Sequence, residues 1–218
     1  MITVLCVLRS GGVYTADWVL RLNNAIARHA TLPHRFVCLA DVDVPGVEVI
    51  PLRHDWPRWW AKVEMFAPWI EEQCGRCLYI DLDTLVTGNI DGFLGYQGQA
   101  CITRDFYHGV PSQSVLNFAP GSMRHLWDSF IANPSRWMRD GDRCIAPHFG
   151  DQVLMTKAHR PRPIEFWQDV LPGQLVSYKV HCRDGLPTDA RLICMHGKPK
   201  QNDFPQHHWV KEHWGRAA

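Results

Sequence analysis

Two aspartates with one residue between them, Asp81 and Asp83, follow directly after the apolar run Cys77–Ile80. Such a run predicts a buried strand, and ligands of open α/β sheets bind beyond the carboxyl ends of the strands. Residues i and i+2 of an extended chain share a face about 6–7 Å apart, so their carboxylates repel each other unless a cation lies between them. The pair therefore predicts a site for a divalent cation with oxygen ligands, while the alternative is that both residues only cap a loop.

A second group of polar residues follows the apolar run 192–195, and it contains His196, Gly197, Lys198 and Lys200. A neutral imidazole could complete a metal site that two carboxylates begin, and a glycine lets the backbone approach a ligand closely. The two ammonium groups could neutralise a diphosphate. A solvated basic turn is the alternative, but a second strand end with matching chemistry favours a site shared with the acidic pair.

The elements that must hold these residues alternate between strands and helices. Apolar runs predict strands at residues 2–8, 36–40, 47–50, 77–80, 100–103, 115–118 and 192–195. Helical periodicity predicts helices at residues 15–29, 59–70, 123–132 and 151–158, and we expect Pro68 to bend or restart the second of them. This alternation predicts an α/β fold with a single Rossmann-like, mainly parallel sheet and helices on both faces.

The composition is that of a globular protein of one domain. The chain has 218 residues, and its formal net charge of +1 predicts neither a nucleic-acid partner nor an anionic membrane surface. No targeting segment and no apolar run of membrane length are visible, so we expect a cytoplasmic protein without a transmembrane segment. The 8 cysteines lie mostly in apolar runs, which favours buried thiols over disulfides.

Motifs of several other enzyme classes do not occur in the sequence. It holds no P-loop, GxGxxG, HExxH or GxSxG pattern, so a kinase, dehydrogenase, zincin or hydrolase has no motif support. Cys74 and Cys77 have the spacing of zinc and redox sites, but no second CxxC accompanies them. Asp41 and Asp43 repeat the spacing of the acidic pair, but the Pro-Gly pair that follows indicates a turn.

Taken together, the motifs resemble those of the glycosyltransferase family 8-type group, which includes glycogenin-like and lipopolysaccharide galactosyl- or glucosyltransferase-like enzymes. The resemblance lies in four stretches in the family's order, namely WAKVEMF at 60–66, LYIDLDTLV at 78–86, GDQVL at 150–154 and HGKP at 196–199. It implies one GT-A (nucleotide-diphospho-sugar transferase) domain over residues 1–218. Residues 1–90 would form the nucleotide-binding half, 91–200 the sugar and acceptor half, and 201–218 a C-terminal tail.

The resemblance also implies a role for individual residues. Asp83 would bind Mn²⁺ (or Mg²⁺), Asp81 would share the metal or hold the ribose, and His196 would be the third ligand. Asp151 and Gln152 would lie beside the donor sugar as the catalytic pair. The nucleotide-sugar would be bound by Leu8, Arg9, Ser10, Lys62, Asp81, Leu82, Asp83, Gln113, Ser114, Gly197, Lys198 and Lys200. The loop after His196 is shorter than the family's, so the choice between Lys198 and Lys200 as the diphosphate contact stays open.

These roles imply a metal-dependent, retaining transfer of a hexose from a UDP-sugar, with Mn²⁺ favoured because an imidazole ligand suits the softer ion. A glycan, a lipid-linked molecule or a protein could be the acceptor. One alternative is a sugar-phosphate nucleotidyltransferase, for which residues 9–12 (RSGG) would be a thin version of a glycine-rich triphosphate loop. The other is an inactive homologue that only binds nucleotide-sugars. We expect His207, His208 and His213 of the tail to have a surface or lid role.

Overall fold

The computed structural model describes residues 1–147, 149–158, 164–203 and 208–215. The strands are β1 Ile2–Leu8, β2 His34–Ala40, β3 Glu48–Pro51, β4 Cys77–Ile80, β5 Thr84–Val86, β6 Ala100–Arg104, β7 Pro111–Phe118, β8 Glu165–Phe166, β9 Leu175–Ser177 and β10 Leu192–Cys194. The α-helices are α1 Ala16–His29, α2 Pro68–Cys74, α3 Asp91–Leu94, α4 Arg124–Ala132, α5 Pro134–Asp142, α6 Gln152–Ala158, α7 Trp167–Val170, α8 Tyr178–His181 and α9 His208–Trp214. Two further segments, Arg58–Phe66 and Gln201–Asp203, are 3₁₀ helices.

The larger sheet has the strand order β3-β2-β1-β4-β7-β6-β8. Strands β3, β2, β1 and β4 run parallel, β7 is antiparallel to both β4 and β6, and β8 is parallel to β6. This arrangement confirms the predicted α/β class with a mainly parallel sheet. The carboxyl ends of β1 and β4 lie side by side, because Thr3 pairs with Cys77 and Leu5 with Tyr79.

A second, three-stranded sheet, which the sequence analysis did not predict, has the order β5-β10-β9. Of its strands, β10 lies within the strand predicted at residues 192–195, whereas β5 and β9 have three residues each, too few for a periodic pattern to stand out from the surrounding sequence. Strand β5 begins directly after Asp83, and Thr84 pairs with Cys194 near the end of β10. The pairing of β5 with β10 therefore places the loop that begins at His196 next to the acidic pair.

Two apolar layers cover the larger sheet, one on each face. Helix α1 buries Trp18, Leu22 and Ile26 against one face, as the helical spacing of these residues predicts. The other layer contains Trp60 of the first 3₁₀ helix and Phe130 of α4, both with no exposed surface. Strands between two such layers are apolar on both sides, which is why β1 and β4 read as continuous hydrophobic runs.

The helix expected at residues 59–70 divides into two elements. The 3₁₀ helix ends at Phe66, Ala67 is extended, and α2 starts with Pro68 as its first residue. Proline fits the first turn of a helix because the N–H that it lacks would have no partner there. The predicted restart at Pro68 is what the structure shows.

The tail packs onto the domain where the structure describes it. Val210 and Trp214 of α9 are buried, while the predicted tail residue His207 lies outside the described residues. All cysteines are free, and Cys144 alone among them is exposed. In the described parts of the chain, no helix combines the length and the apolar character that a membrane span requires.

Candidate functional site

A cleft of about 500 Å³ opens at the carboxyl ends of β1 and β4. The residues assigned to the site from sequence that line it are Arg9, Lys62, Asp81, Leu82, Asp83, Ser114, Asp151, His196, Gly197 and Lys200. They come from separate parts of the chain: the end of β1, the first 3₁₀ helix, the turn after β4, strand β7, the start of α6 and the loop after β10. The fold thus brings together residues that the sequence separates by more than a hundred positions.

The backbone fixes Asp81 in a turn at the end of β4. Its N–H donates to the carbonyl oxygen of Ser114 at 2.9 Å, and its own carbonyl oxygen accepts from Thr84 N at 3.0 Å. Oδ1 of its carboxylate accepts a hydrogen bond from the hydroxyl of Tyr79 and lies 3.2 Å from Nζ of Lys62. Burial raises the pKa of Asp81 to about 6, with Lys62 opposing the rise and repulsion from Asp83 adding to it.

Asp83 lies deeper and meets two different donors. The hydroxyl of Tyr14 donates to its Oδ2 at 2.9 Å, and Nζ of Lys200 forms an ion pair with the same oxygen. Burial raises the pKa of Tyr14, and the charges of Asp83 and Asp81 raise it further, so its hydroxyl stays protonated as a donor. Nothing in the sequence singled out Tyr14, because its role depends on where the loop after β1 turns back over the cleft.

Lys62 joins the acidic pair to the start of α6. Its Nζ lies 3.2 Å from Oδ1 of Asp81 and 3.0 Å from Oδ2 of Asp151. Burial lowers the pKa of Lys62, but attraction to Asp151 and Asp81 outweighs it, so the pKa is raised overall. The ammonium therefore remains charged between two carboxylates that are also largely buried.

His196 lines the cleft and contacts Ser177 and Phe106. Its Nε2 lies 2.7 Å from the hydroxyl oxygen of Ser177, and its ring stacks on Phe106 with a centroid distance of 5.9 Å. Burial lowers its pKa, so the imidazole is neutral at neutral pH. Neutral imidazole is the form that binds metals, but here the nitrogen Nε2 faces a hydroxyl.

In the observed side-chain positions, the three predicted metal ligands do not form a metal site. Among the described residues, no group of three His, Cys, Asp or Glu side chains is placed to hold a metal ion. Asp83 is engaged by Lys200, Asp81 by Lys62, and His196 by Ser177. A protein-only set of Asp81, Asp83 and His196 therefore does not fit a divalent ion in this arrangement.

Asp41 organises the part of the cleft that the loop after β1 forms. Its carboxylate lies 3.0 Å from Nη1 of Arg9 and accepts hydrogen bonds from the backbone N–H and the hydroxyl of Ser10 at 2.8 and 2.6 Å. Arg9 lines the cleft, whereas Ser10 is exposed and Leu8 is fully buried in the core, so neither side chain lines it. The predicted turn at Asp41 thus holds the loop after β1.

At the start of α6, Asp151 lines the cleft and Gln152 does not. The side-chain amide of Gln152 donates to Oδ2 of Asp105 at 3.2 Å, which ties α6 to the loop after β6. Gln113 is buried in β7, away from the cleft, while its neighbour Ser114 lines it. Of these four predicted residues, Asp151 and Ser114 are thus placed to meet a ligand directly.

The two lysines of the loop after β10 have different positions. Lys200 lies in the cleft, where its Nζ pairs with Asp83 and donates to the carbonyl oxygen of Met195 at 3.0 Å. Lys198 is exposed and does not line the cleft. The sequence left open which of the two lysines would contact a diphosphate, and their positions favour Lys200.

Arg58 and Trp59 also line the cleft, and the sequence analysis did not assign them to it. The guanidinium carbon of Arg58 lies 4.5 Å from the ring centroid of Trp59, and Nη2 lies 3.0 Å from Oδ2 of Asp142. Arg58 has a φ of 54°, which is uncommon for a residue with a side chain. Trp59 packs against Gly150, where an added Cβ would come within 2.7 Å of the indole.

Comparisons with known proteins identify the fold. No protein-family model matches this sequence, and no curated protein matches it. The apo structure of the bifunctional glycosyltransferase WbbM superposes with a TM-score of 0.60 at 13% identity, covering 99% of this chain and 51% of that one. The glycosyltransferase GlyE of Streptococcus pneumoniae TIGR4 superposes with a TM-score of 0.69 at 14% identity, covering 100% of this chain and 61% of that one.

The chain spans about half of WbbM and about three-fifths of GlyE. At these identities the likeness concerns the fold, and a fold supports many functions. The mixed α/β architecture, with its large and mainly parallel sheet, is that of the GT-A type of glycosyltransferase.

Proposed function

We propose that this protein is a glycosyltransferase that moves a hexose from a UDP-sugar to an acceptor, with retention of the anomeric configuration. We further propose that it belongs with the family 8-type enzymes. One observation carries the proposal: a single cleft at the carboxyl ends of parallel strands gathers Asp81, Asp83 and Asp151 with the ammonium groups of Lys62 and Lys200. The GT-A architecture of the chain supports the same reaction class.

The chemistry requires that a diphosphate leave the anomeric carbon while negative charge grows on the leaving oxygen. Lys200 and Lys62 supply fixed positive charge from largely buried side chains, where electrostatic stabilisation is stronger than in bulk solvent. Arg9 closes the side on which the base and ribose would lie, since Asp41 holds it in place. These groups bind the donor and stabilise its departing half.

We assign Asp151 to the donor sugar because it lines the cleft beside Lys62. Its carboxylate is paired with Lys62, so it accepts hydrogen bonds from sugar hydroxyls and orients the ring. Gln152 would act through Asp105 and the loop after β6, because its side chain is directed there. Arg58 and Trp59 also line the cleft, where an indole face could stack on the acceptor.

Mn²⁺, with Mg²⁺ as the alternative, belongs to the proposal as the cation that Asp81 and Asp83 would bind. A divalent ion would add positive charge beside the leaving diphosphate. Because the protein ligands are not assembled as a set of three, we assign no step of the transfer to the ion. An unidentified glycan, lipid-linked molecule or protein would be the acceptor.

The test is a panel of UDP-sugars with Mn²⁺, read as release of UDP without an added acceptor, together with calorimetry of UDP binding. We expect slow hydrolysis of at least one donor. Asp83→Asn should weaken UDP binding in the presence of Mn²⁺ by about tenfold or more. Asp43→Asn is the matched control, because Asp43 has the same acidic spacing but lies exposed in a turn and should change nothing.

Three results would overturn the proposal. If neither UDP nor any UDP-sugar binds, the cleft is not a nucleotide-sugar site. Release of pyrophosphate from UTP and a sugar 1-phosphate would show a nucleotidyltransferase. Binding of a UDP-sugar without hydrolysis or transfer to any acceptor would show an inactive homologue.

A further inference from the structure

Lys200 holds Asp83 in the place where a bound cation would be expected. Its Nζ pairs with Oδ2 of Asp83 and donates to the carbonyl oxygen of Met195 at 3.0 Å. Both partners of the pair are largely buried, with side-chain exposures of 16% for Lys200 and 12% for Asp83. The backbone of Lys200 is anchored as well, because its N–H donates to Oδ2 of Asp203 at 2.8 Å.

The charged groups around this pair carry an excess of negative charge, which affects the binding of a diphosphate and of a divalent ion. The carboxylates of Asp81, Asp83 and Asp151 face the ammonium groups of Lys62 and Lys200, so the cluster has one negative charge more than it has positive charges. A diphosphate adds negative charge, and a divalent ion alone would meet the ammonium of Lys200 at the same carboxylate oxygen. A diphosphate alone is therefore opposed by the net charge of the cluster, and a divalent ion alone must displace the ammonium of Lys200 from Asp83. When both bind, the ion offsets the charge of the diphosphate and the diphosphate offers the displaced ammonium a new partner.

The coordination chemistry points the same way. Ions such as Mg²⁺ are commonly bound by one or two carboxylates together with the phosphate oxygens of the substrate, without a dedicated protein cage. His196 is engaged with Ser177, and the described residues offer no set of three protein ligands. A divalent ion at Asp83 would thus need ligands that a diphosphate brings.

We propose that Lys200 is an exchangeable internal cation: it occupies Asp83 in the free protein, excludes a divalent ion there, and transfers to the diphosphate when ion and nucleotide bind together. The ligand that the cleft accepts is therefore a complex of a divalent ion with a nucleoside diphosphate, and neither component alone binds well. This inference rests on the proposed function for the nature of the nucleotide. The exclusion of the ion by Lys200 does not depend on it.

The test compares Mn²⁺ binding to the full chain and to Lys200→Met, measured by the electron paramagnetic resonance signal of free Mn²⁺. Methionine removes the charge and keeps an unbranched side chain. Without nucleotide, Lys200→Met should bind Mn²⁺ about tenfold more tightly than the unaltered protein, which is within the usual range of coupling between sites. Its affinity for UDP in calorimetry should fall.

Linkage adds a second measurement. In the unaltered protein, UDP should raise the affinity for Mn²⁺ by about tenfold or more, and Mn²⁺ must raise the affinity for UDP by the same factor. In Lys200→Met this factor should be smaller, because the free protein no longer excludes the ion. Lys200→Arg keeps the charge and should still exclude Mn²⁺, which separates the effect of charge from any effect on folding.

Lys198→Met is the matched control, since Lys198 belongs to the same loop but lies exposed outside the cleft. Its Mn²⁺ affinity should equal that of the unaltered protein. Equal Mn²⁺ affinities for the free unaltered protein and Lys200→Met would overturn the inference, as would an unaltered protein in which UDP and Mn²⁺ bind independently. If UDP does not bind at all but Lys200→Met gains Mn²⁺ affinity, the exclusion stands and the proposed function fails.

Discussion

Each acidic residue of the cleft has a basic partner that the sequence placed elsewhere. Lys62 is nineteen positions before Asp81 and Lys200 is 117 after Asp83, yet both ammonium groups lie within ion-pair distance of these carboxylates. A carboxylate buried beside a second one would otherwise be costly, because burial and repulsion both disfavour its charge. The pairs give each carboxylate a positive partner before any ligand arrives.

Asp81 makes the stability of the free protein depend on pH. Its pKa in the folded state, about 6, lies above the value of the unfolded chain, so the folded state binds the proton more tightly. The resulting stabilisation is complete below the unfolded pKa and is lost as the pH rises through about 6. Relative to Asp81→Asn, the unaltered protein should lose about 1 kcal/mol of unfolding free energy between pH 5 and pH 7.5.

Urea unfolding at both pH values measures this difference, and Asp81→Asn serves as the reference that cannot titrate. The same stability difference from Asp81→Asn at both pH values would show that attraction to Lys62 outweighs burial. In that case Asp81 would be ionised throughout the range, and its pKa would lie below that of a free aspartate.

At the scale of elements, the C-terminal helix supports the cleft from outside. Trp214 of α9 packs on Trp18 of α1 with a centroid distance of 4.6 Å, and Trp18 packs on Tyr14 at 5.0 Å. Tyr14 in turn donates to Asp83. The sequence analysis expected a surface or lid role for the histidines of this tail, whereas the buried tryptophan of α9 connects it to the acidic pair.

Trp214→Ala should lower the free energy of unfolding by about 3 kcal/mol, the cost of removing a large aromatic side chain from a packed position. Trp214 is only 7% exposed, and its indole N–H also donates to Asn202 at 2.8 Å. UDP binding should weaken as well, because Trp18 and Tyr14 lose their support. Chemical denaturation and calorimetry measure the two effects.

His208→Ala in the same helix is the control, since the side chain of His208 is 95% exposed. It should change stability by no more than about 0.5 kcal/mol. An equally small effect of Trp214→Ala would mean that α9 does not contribute to the core.

At the scale of the whole molecule, the two sheets share one hydrophobic core. The same apolar cluster contains Leu78 and Ile80 of β4, Leu85 of β5, Ile193 of β10 and Val210 of α9. Neither sheet can therefore expose its inner face without exposing that of the other. This shared burial joins the acidic pair, the loop after β10 and the tail into one unit.

We expect a single cooperative unfolding transition, in which tryptophan fluorescence and far-ultraviolet circular dichroism give coincident urea curves. Chains longer than about 150 residues often populate intermediates, so coincidence is not the default outcome. An earlier transition seen by fluorescence alone would show that the small sheet and α9 separate from the larger sheet before it unfolds.

The strands and helices with long apolar patterns could be predicted from the sequence. Strand β4 and helix α1 have the expected bounds within one residue, because burial between two layers imposes a pattern that local sequence must carry. Strands β5, β8 and β9 and the helices α3, α5, α7, α8 and α9 were not predicted. Most of them have only a few residues and are stabilised by their neighbours more than by their own periodicity.

The sequence by itself determined which chemical groups are available. It showed which carboxylates follow a strand, which lysines follow the last strand, and that the fold is of the α/β class. Only the tertiary structure decided that Lys200 and not Lys198 reaches Asp83, that His196 faces Ser177, and that Tyr14 joins the site. The reason is physical. Side-chain partners separated by up to 117 residues are chosen by packing and by the register of the small sheet, and no local pattern records either.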